Sequence, residues 1–259
     1  MTHIMTNKKS PQVSSPHIGK KFAVFDIDGT LFRSGLYREV AFELVRMGAI
    51  PESILKKIAD KENAWKKRSH GSAFGEFDQA VVDALDNELP RLKVAYFDLA
   101  AEKVINKHRD NVYVYTRDLV KKLKTEGRFM LAISGSQREV VGPFAEHYGF
   151  DYWVGQTFER GDEFFTGHVR KTHEGKGKHL KRLIKKYSLS MEDSIAVGDS
   201  AGDIEMLSMV ERPIAFNPES NLYAVAKEHN WSIVIERKNM IYRLEHDNGE
   251  YRLHQADSH

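Results

Sequence analysis

Apolar runs alternate with amphipathic stretches from Phe22 onward, and the first run, Phe22-Ala23-Val24-Phe25, stops abruptly at Asp26-Ile27-Asp28-Gly29-Thr30. A short continuous apolar run ending in a polar, Gly-containing turn predicts a strand buried on both faces. Between about Ser34 and Asp110 this pattern is missing. Apolar residues recur there at helical spacing, as Val40, Leu44 and Val45 and then Ile54, Leu55 and Ile58, with breaks at Gly48 to Pro51, His70-Gly71 and Leu89-Pro90. That stretch predicts an insertion of about four helices.

Beyond the insertion, the pattern predicts a helix over 116–125 stopped by Gly127, and a second strand over 129–133 ending in Ser134-Gly135-Ser136. A helix to about Tyr148, a strand over 150–154 and a small hairpin at Arg160-Gly161-Asp162-Glu163 follow. Leu180, Leu183, Ile184 and Tyr187 form the apolar face of a helix over 177–187, and its Lys and Arg residues read as the solvated face. A fourth strand over 194–197 runs into Gly198-Asp199-Ser200. It is followed by a helix through Met206-Leu207, strands over 213–216 and 232–235, and a helix over 219–229 between them. Strands alternating with helices imply right-handed crossovers and a parallel sheet, so the fold class is α/β. Two Tyr-Arg-Leu segments around Asp247-Asn248-Gly249 predict a hairpin added at the C-terminal end.

Composition narrows the function classes. The 259 residues include 39 Lys plus Arg against 37 Asp plus Glu, a net charge of +2 that makes no case for an obligate nucleic-acid binder. The absence of Cys excludes a disulfide framework, a thiol nucleophile and Cys-ligated zinc or iron-sulfur sites. No apolar run approaches the roughly 18 to 20 residues of a membrane span. Residues 1–20 read as a polar tail without an export signal, so a cytoplasmic location without a membrane partner is expected.

The candidate chemistry lies where three apolar strands each finish in a turn of Asp, Ser and Gly. A parallel sheet sets such carboxyl ends side by side, where ligands bind. Asp26 and Asp28 are two positions apart on an extended chain, so their carboxylates share a side and repel unless a cation or proton lies between them. Asp199 and Asp203 enlarge the acidic cluster. Oxygen ligands without thiols suit a hard divalent ion, Mg²⁺ before Ca²⁺ or Zn²⁺. Ser134 with its Gly-rich turn, plus a lysine at the mouth of a helix, adds donors for a phosphoryl group. For that lysine, Lys176 and Lys178 both stand in Gly175-Lys176-Gly177-Lys178, and Lys176 is preferred because it precedes the helix. His70, His168, His173 and His179 show no metal-ligand spacing.

Asp26-Ile27-Asp28-Gly29-Thr30-Leu31, Ser134-Gly135-Ser136, Lys176-Gly177 and Gly198-Asp199-Ser200-Ala201-Gly202-Asp203 resemble, in order, the four motifs of the haloacid dehalogenase superfamily. The likeness covers about 21–235, and the segment 176–207 is most similar to the phosphoserine phosphatase-like branch. It implies a Rossmann-like core over 21–33 and 114–239, a C1 helical cap over 34–113 and a hairpin extension over 240–259. It also implies a Mg²⁺-dependent phosphomonoesterase acting on a small phosphorylated metabolite through an aspartyl-phosphate.

In that resemblance Asp26 is the nucleophile and Asp28 the acid and base, with Lys176 as the third catalytic residue. Asp26, Asp28 and Asp199 hold the metal, and Asp203 orients its waters or Lys176. Ser134, Gly135 and Lys176 clamp the phosphoryl oxygens, and Thr30 belongs to the substrate-binding set and steadies its turn. Apart from the resemblance, Arg33 and Arg38 lie close enough to the first motif to face the substrate. Phosphoserine phosphatases carry an acid where Gly35 stands and a cap Arg absent from the helix around Phe74 to Leu85. An anionic phosphomonoester without an amine, other than phosphoserine, is therefore expected. The alternatives are a phosphotransferase or mutase on the same intermediate, a catalytically weak regulatory or binding protein, and a phosphatase for nucleic-acid ends or phosphoproteins.

Overall fold

A computed structural model of the chain describes residues 18–170, 175–247 and 250–259. Most of the expected polar tail, His173 and the Asn248-Gly249 turn lie outside the described residues. The core is a nine-stranded sheet in the order β4-β3-β2-β1-β5-β6-β7-β8-β9. Its strands are β1 (Lys21–Phe25), β2 (Phe129–Gln137), β3 (Tyr152–Arg160), β4 (Phe165–Arg170), β5 (Ser190–Gly198), β6 (Arg212–Phe216), β7 (Ser232–Arg237), β8 (Met240–Asp247) and β9 (Glu250–Ser258). From β3 through β7 the pairing is parallel, with β1 in the middle between β2 and β5. β1 reads as one apolar run because both faces are covered: Ala23 and Phe25 join one core cluster, Phe22 and Val24 the other.

Between β1 and β2 come α1 (Leu36–Arg46), α2 (Ser53–Lys66), α3 (Ala73–Glu88), a 3₁₀ turn (Leu89–Arg91), α4 (Val94–His108) and α5 (Val114–Thr125). The four helices α1 to α4 are those that the spacing of Val40, Leu44, Ile54 and Ile58 predicts, and these four residues are buried. α5 ends at Gly127, whose φ of +75° lets the Arg128 N–H reach the Leu123 carbonyl. The remaining helices are α6 (Arg138–Tyr148), α7 (Lys176–Tyr187), the short α8 (Ile204–Leu207) and α9 (Ser220–Glu228).

Three elements differ from the sequence pattern. β2 does not stop at Ile133 but stays extended through Ser134-Gly135-Ser136, shifts register, and pairs again at Gln137 with Gln156 of β3. The helix expected after Asp199 is a 3₁₀ turn over Ala201–Asp203 leading into α8, because Ser200 and Asp203 close a capping box across it. The C-terminal hairpin continues the core sheet, with β8 antiparallel to β7. The β3–β4 hairpin also grips the helical insertion. Val94 N–H donates to the Glu163 carbonyl at 2.9 Å, and the rings of Phe97, Phe158 and Phe165 meet edge to face.

Candidate active site

Adjacent strands deliver the site. Asp26 follows the last residue of β1 and is anchored by its own N–H to the Val197 carbonyl of β5 at 2.9 Å. Asp199 follows β5 directly, and Ser134 lies within β2 on the other side. Lys176 opens α7, and its buried Nζ donates to Asp26 Oδ1 and Asp203 Oδ1, both at 2.6 Å. Lys178, the rival, lies against a groove with Lys181, Glu205 and Met209 instead.

Asp203 is fully buried. Its Oδ2 accepts the N–H of Asp199 at 3.1 Å, the N–H of Ser200 at 3.0 Å and the Ser200 hydroxyl at 3.1 Å. With Oδ1 on Lys176, both its oxygens are engaged by this chain's own donors. Asp203 therefore acts on the site chiefly by fixing Lys176 and the turn that carries Asp199. Asp28 is held differently: Oδ1 accepts the Leu36 N–H at 2.6 Å and Oδ2 the Ser134 hydroxyl at 2.6 Å. Ser134 Oγ in turn accepts the Ser136 N–H, which keeps the Gly135 backbone beside Asp28.

One oxygen each of Asp26, Asp199 and Asp203 lies within 4.8 Å of the others, an all-oxygen set of the kind a hard divalent cation takes. The electrostatics agree. Burial pushes the Asp26 carboxyl up from 3.8 to about 7, offset in part by Lys176 and reinforced by Asp203 and Asp28. Burial and then the Asp26 charge also raise Asp199 well above the usual carboxylate range. Carboxylates that resist ionisation beside one another are where an added positive charge gains most. The oxygens that Asp26, Asp199 and Asp203 bring together fit a divalent cation.

Two expected contact residues stand elsewhere. Thr30 is completely buried below the carboxylates, its hydroxyl 3.0 Å from Asp199 Oδ1 and 3.3 Å from Asp26 Oδ2, while its carbonyl accepts the Thr116 hydroxyl at 2.9 Å. With its hydroxyl on both acids and its carbonyl tied to Thr116, it braces the acids, which corrects its place in the binding set. Arg38 is buried, with Nη1 on Asp78 Oδ1 at 2.8 Å and Nη2 on Ser34 Oγ at 2.9 Å. Its charge is already matched, so it offers no open guanidinium to an anion. Arg33 is exposed and lies over the Tyr113 ring at 5.3 Å. Burial and then the Asp199 charge raise the Tyr113 hydroxyl, while Arg33 pulls it the other way.

The sequence pattern gave no role to Thr116, Ser136, Tyr37 or Asp78. Ser136 Oγ accepts the Tyr37 N–H at 2.9 Å, tying the start of α1 to β2. No periodicity or motif signals these contacts, since each spans 40 residues or more of chain.

A profile of haloacid dehalogenase-like hydrolases matches residues 23–208. A phosphoserine phosphatase of Mycobacterium tuberculosis is 26% identical over 213 residues, 80% of this chain but 46% of that protein's length. A phosphoserine phosphatase of Methanocaldococcus jannaschii is 29% identical over 202 residues, 76% of this chain and 85% of its own. A histidinol-phosphatase of Neisseria meningitidis serogroup C is 24% identical over 226 residues, 83% of this chain and 98% of its own. Among solved structures, a Bordetella pertussis protein of unknown function superposes with a TM-score of 0.66 at 21% identity, covering 84% of this chain and 99% of that one. A phosphoserine phosphatase carrying a phospho-aspartyl intermediate analogue gives 0.59 at 23% identity, covering 85% and 95%. These two likenesses concern the fold.

Proposed function

The chain belongs to the haloacid dehalogenase-like hydrolases, and from that premise we propose that it is a Mg²⁺-dependent phosphomonoesterase working through an aspartyl-phosphate at Asp26. The observation that carries this reading is the convergence on Asp26, at the end of the central strand, of Lys176 at 2.6 Å and the Asp199 and Asp203 carboxylates, with Asp28 two residues on. In this reading Asp26 attacks phosphorus, the ester bond breaks, and Asp28 delivers a proton to the departing alkoxide. Asp28 then takes a proton from the water that cleaves the acyl phosphate, which returns both carboxyls to their starting states.

Lys176 keeps Asp26 oriented and balances charge on the phosphoryl oxygens, while Ser134 Oγ and the Gly135 backbone meet those oxygens from the β2 side. Asp26, Asp199 and the Asp28 carbonyl would hold Mg²⁺, which supplies charge neutralisation for the phosphoryl group. Arg33, exposed over the Tyr113 ring, would meet the outer part of the substrate.

The substrate in this reading is a small phosphorylated metabolite. Phosphoserine and histidinol phosphate, after which the relatives are named, are both esters of an alcohol with an amine on the neighbouring carbon. That shared chemistry supports an amino-alcohol phosphate here. The test is Asp26→Asn assayed on 4-nitrophenyl phosphate with Mg²⁺ and with excess chelator. Losing nucleophile and ligand together should lower turnover on the order of 10³-fold or more, with the circular-dichroism spectrum unchanged. A variant that keeps a substantial fraction of the activity, or a wild type indifferent to chelator, would sink the reading.

A further inference from the structure

α1 begins at the chemistry and ends in the helical insertion. Its first N–H, that of Leu36, donates to Asp28, and its second, that of Tyr37, to Ser136. One residue later Arg38 reaches across to Asp78 of α3 and back to Ser34. A single helical turn therefore connects the acid-base carboxylate to Asp78.

Asp78 keeps 47% of its side chain open, yet burial raises its carboxyl and the Asp28 charge raises it further against the pull of Arg38. The guanidinium that holds Asp78 lies 3.9 Å from where a Cβ on Gly35 would stand, directly before the Leu36 N–H that meets Asp28, so the half-open Asp78 carboxylate stands beside the start of α1 and next to the acid-base end of the site. Arg38 occupies only Oδ1, and among the described residues no donor meets Oδ2. Arg38 itself is closed off by the rings of Trp65, Phe74 and Phe77, each 5.6 to 5.8 Å away. The charges near it on α3 are acidic as well: the Tyr37 hydroxyl donates to Asp86 Oδ1 at 3.1 Å, and after burial the Asp86, Asp78 and Asp83 charges all hold its proton on. A substrate carboxylate entering here meets acids and a spent arginine, whereas an ammonium group meets an open carboxylate oxygen beside an aromatic wall.

We propose that Asp78, steered by Arg38, is the specificity-determining residue for the leaving alcohol and selects phosphomonoesters whose alcohol carries an ammonium group and no carboxylate. This rests on the phosphomonoesterase reading and replaces the anionic, amine-free substrate expected from the sequence, because Arg38 is not open to an anion.

The experiment compares kcat/KM of the wild type, Asp78→Asn and Asp78→Glu on 2-aminoethyl phosphate, 2-hydroxyethyl phosphate and O-phosphoserine, with 4-nitrophenyl phosphate as reference. The wild type should prefer the aminoethyl over the hydroxyethyl ester by roughly tenfold to a hundredfold, and phosphoserine should trail the aminoethyl ester. In Asp78→Asn that ratio should collapse toward one, and Asp78→Glu should restore part of it. A merely structural Asp78 would lower both esters together with the ratio kept, which would overturn the proposal, as would a wild type that prefers phosphoserine or ignores the amine. Turnover of 4-nitrophenyl phosphate without amine preference defeats Asp78 alone. No Asp26-dependent turnover of any ester defeats the phosphatase reading and this inference with it.

Discussion

At Gly29 the backbone has a φ of +82°, and a Cβ there would stand 2.2 Å from Asp199 Oδ2. The turn that follows the first two aspartates is thus packed directly against the third. Gly29→Ala forces a left-handed alanine and displaces Asp199, so unfolding free energy should fall by about 1 to 3 kcal/mol and more Mg²⁺ should be needed for half-maximal activity. Denaturant unfolding and a Mg²⁺ titration check this, and an unchanged pair of values would show that the close approach is dispensable. At this scale the acids and Lys176 were legible, because motif order along the chain survives folding. Thr30 and Arg38 were not, since a residue near a motif can point into the cleft or below it. Burial under Asp199 decides the first case and the Asp78 partner the second.

Among elements, the contact between α4 and the core is held by Arg160 of β3, whose guanidinium binds Asp98 of α4 at 2.6 and 2.9 Å and Glu139 of α6 at 2.8 Å. The group is mostly buried, so replacing Arg160 with Met leaves two carboxylates facing each other without a cation. Allowing for partial solvent screening, the expected loss of stability is about 1 to 3 kcal/mol. Thermal unfolding of Arg160→Met against wild type tests it, and an equal midpoint would mean that the aromatic cluster of Phe97, Phe158 and Phe165 fixes α4 without help. The helices and strands themselves were legible from periodicity, including the four helices between β1 and α5. The long β2 and the 3₁₀ turn at Ala201–Asp203 were not, because a second register with β3 and a capping box at Ser200 made those ends.

For the whole molecule, the raised carboxylates tie stability to pH and metal. Asp26 rises from 3.8 to about 7, chiefly by burial, and Asp199 rises for the same reason. Between these values the folded protein binds more protons than the unfolded chain, so without a divalent ion stability falls as pH climbs from about 4 to about 7. Mg²⁺ binds the ionised form, so its addition should raise the melting temperature more at about pH 8 than at about pH 5. Differential scanning fluorimetry at both pH values measures it. An equal gain at the two, or none, would contradict a metal site built on Asp26 and Asp199. The sequence by itself determined the α/β class, the helical insertion after the first strand and the family of the site, because apolar period and motif order are properties of the chain. Only the tertiary structure decided that Asp203 is saturated by Lys176 and the Ser200 turn, that Thr30 is a brace, and that Arg38 is spent on Asp78. Which charge meets which depends on residues 27 to 169 positions apart being brought together by packing, and no local pattern encodes that pairing.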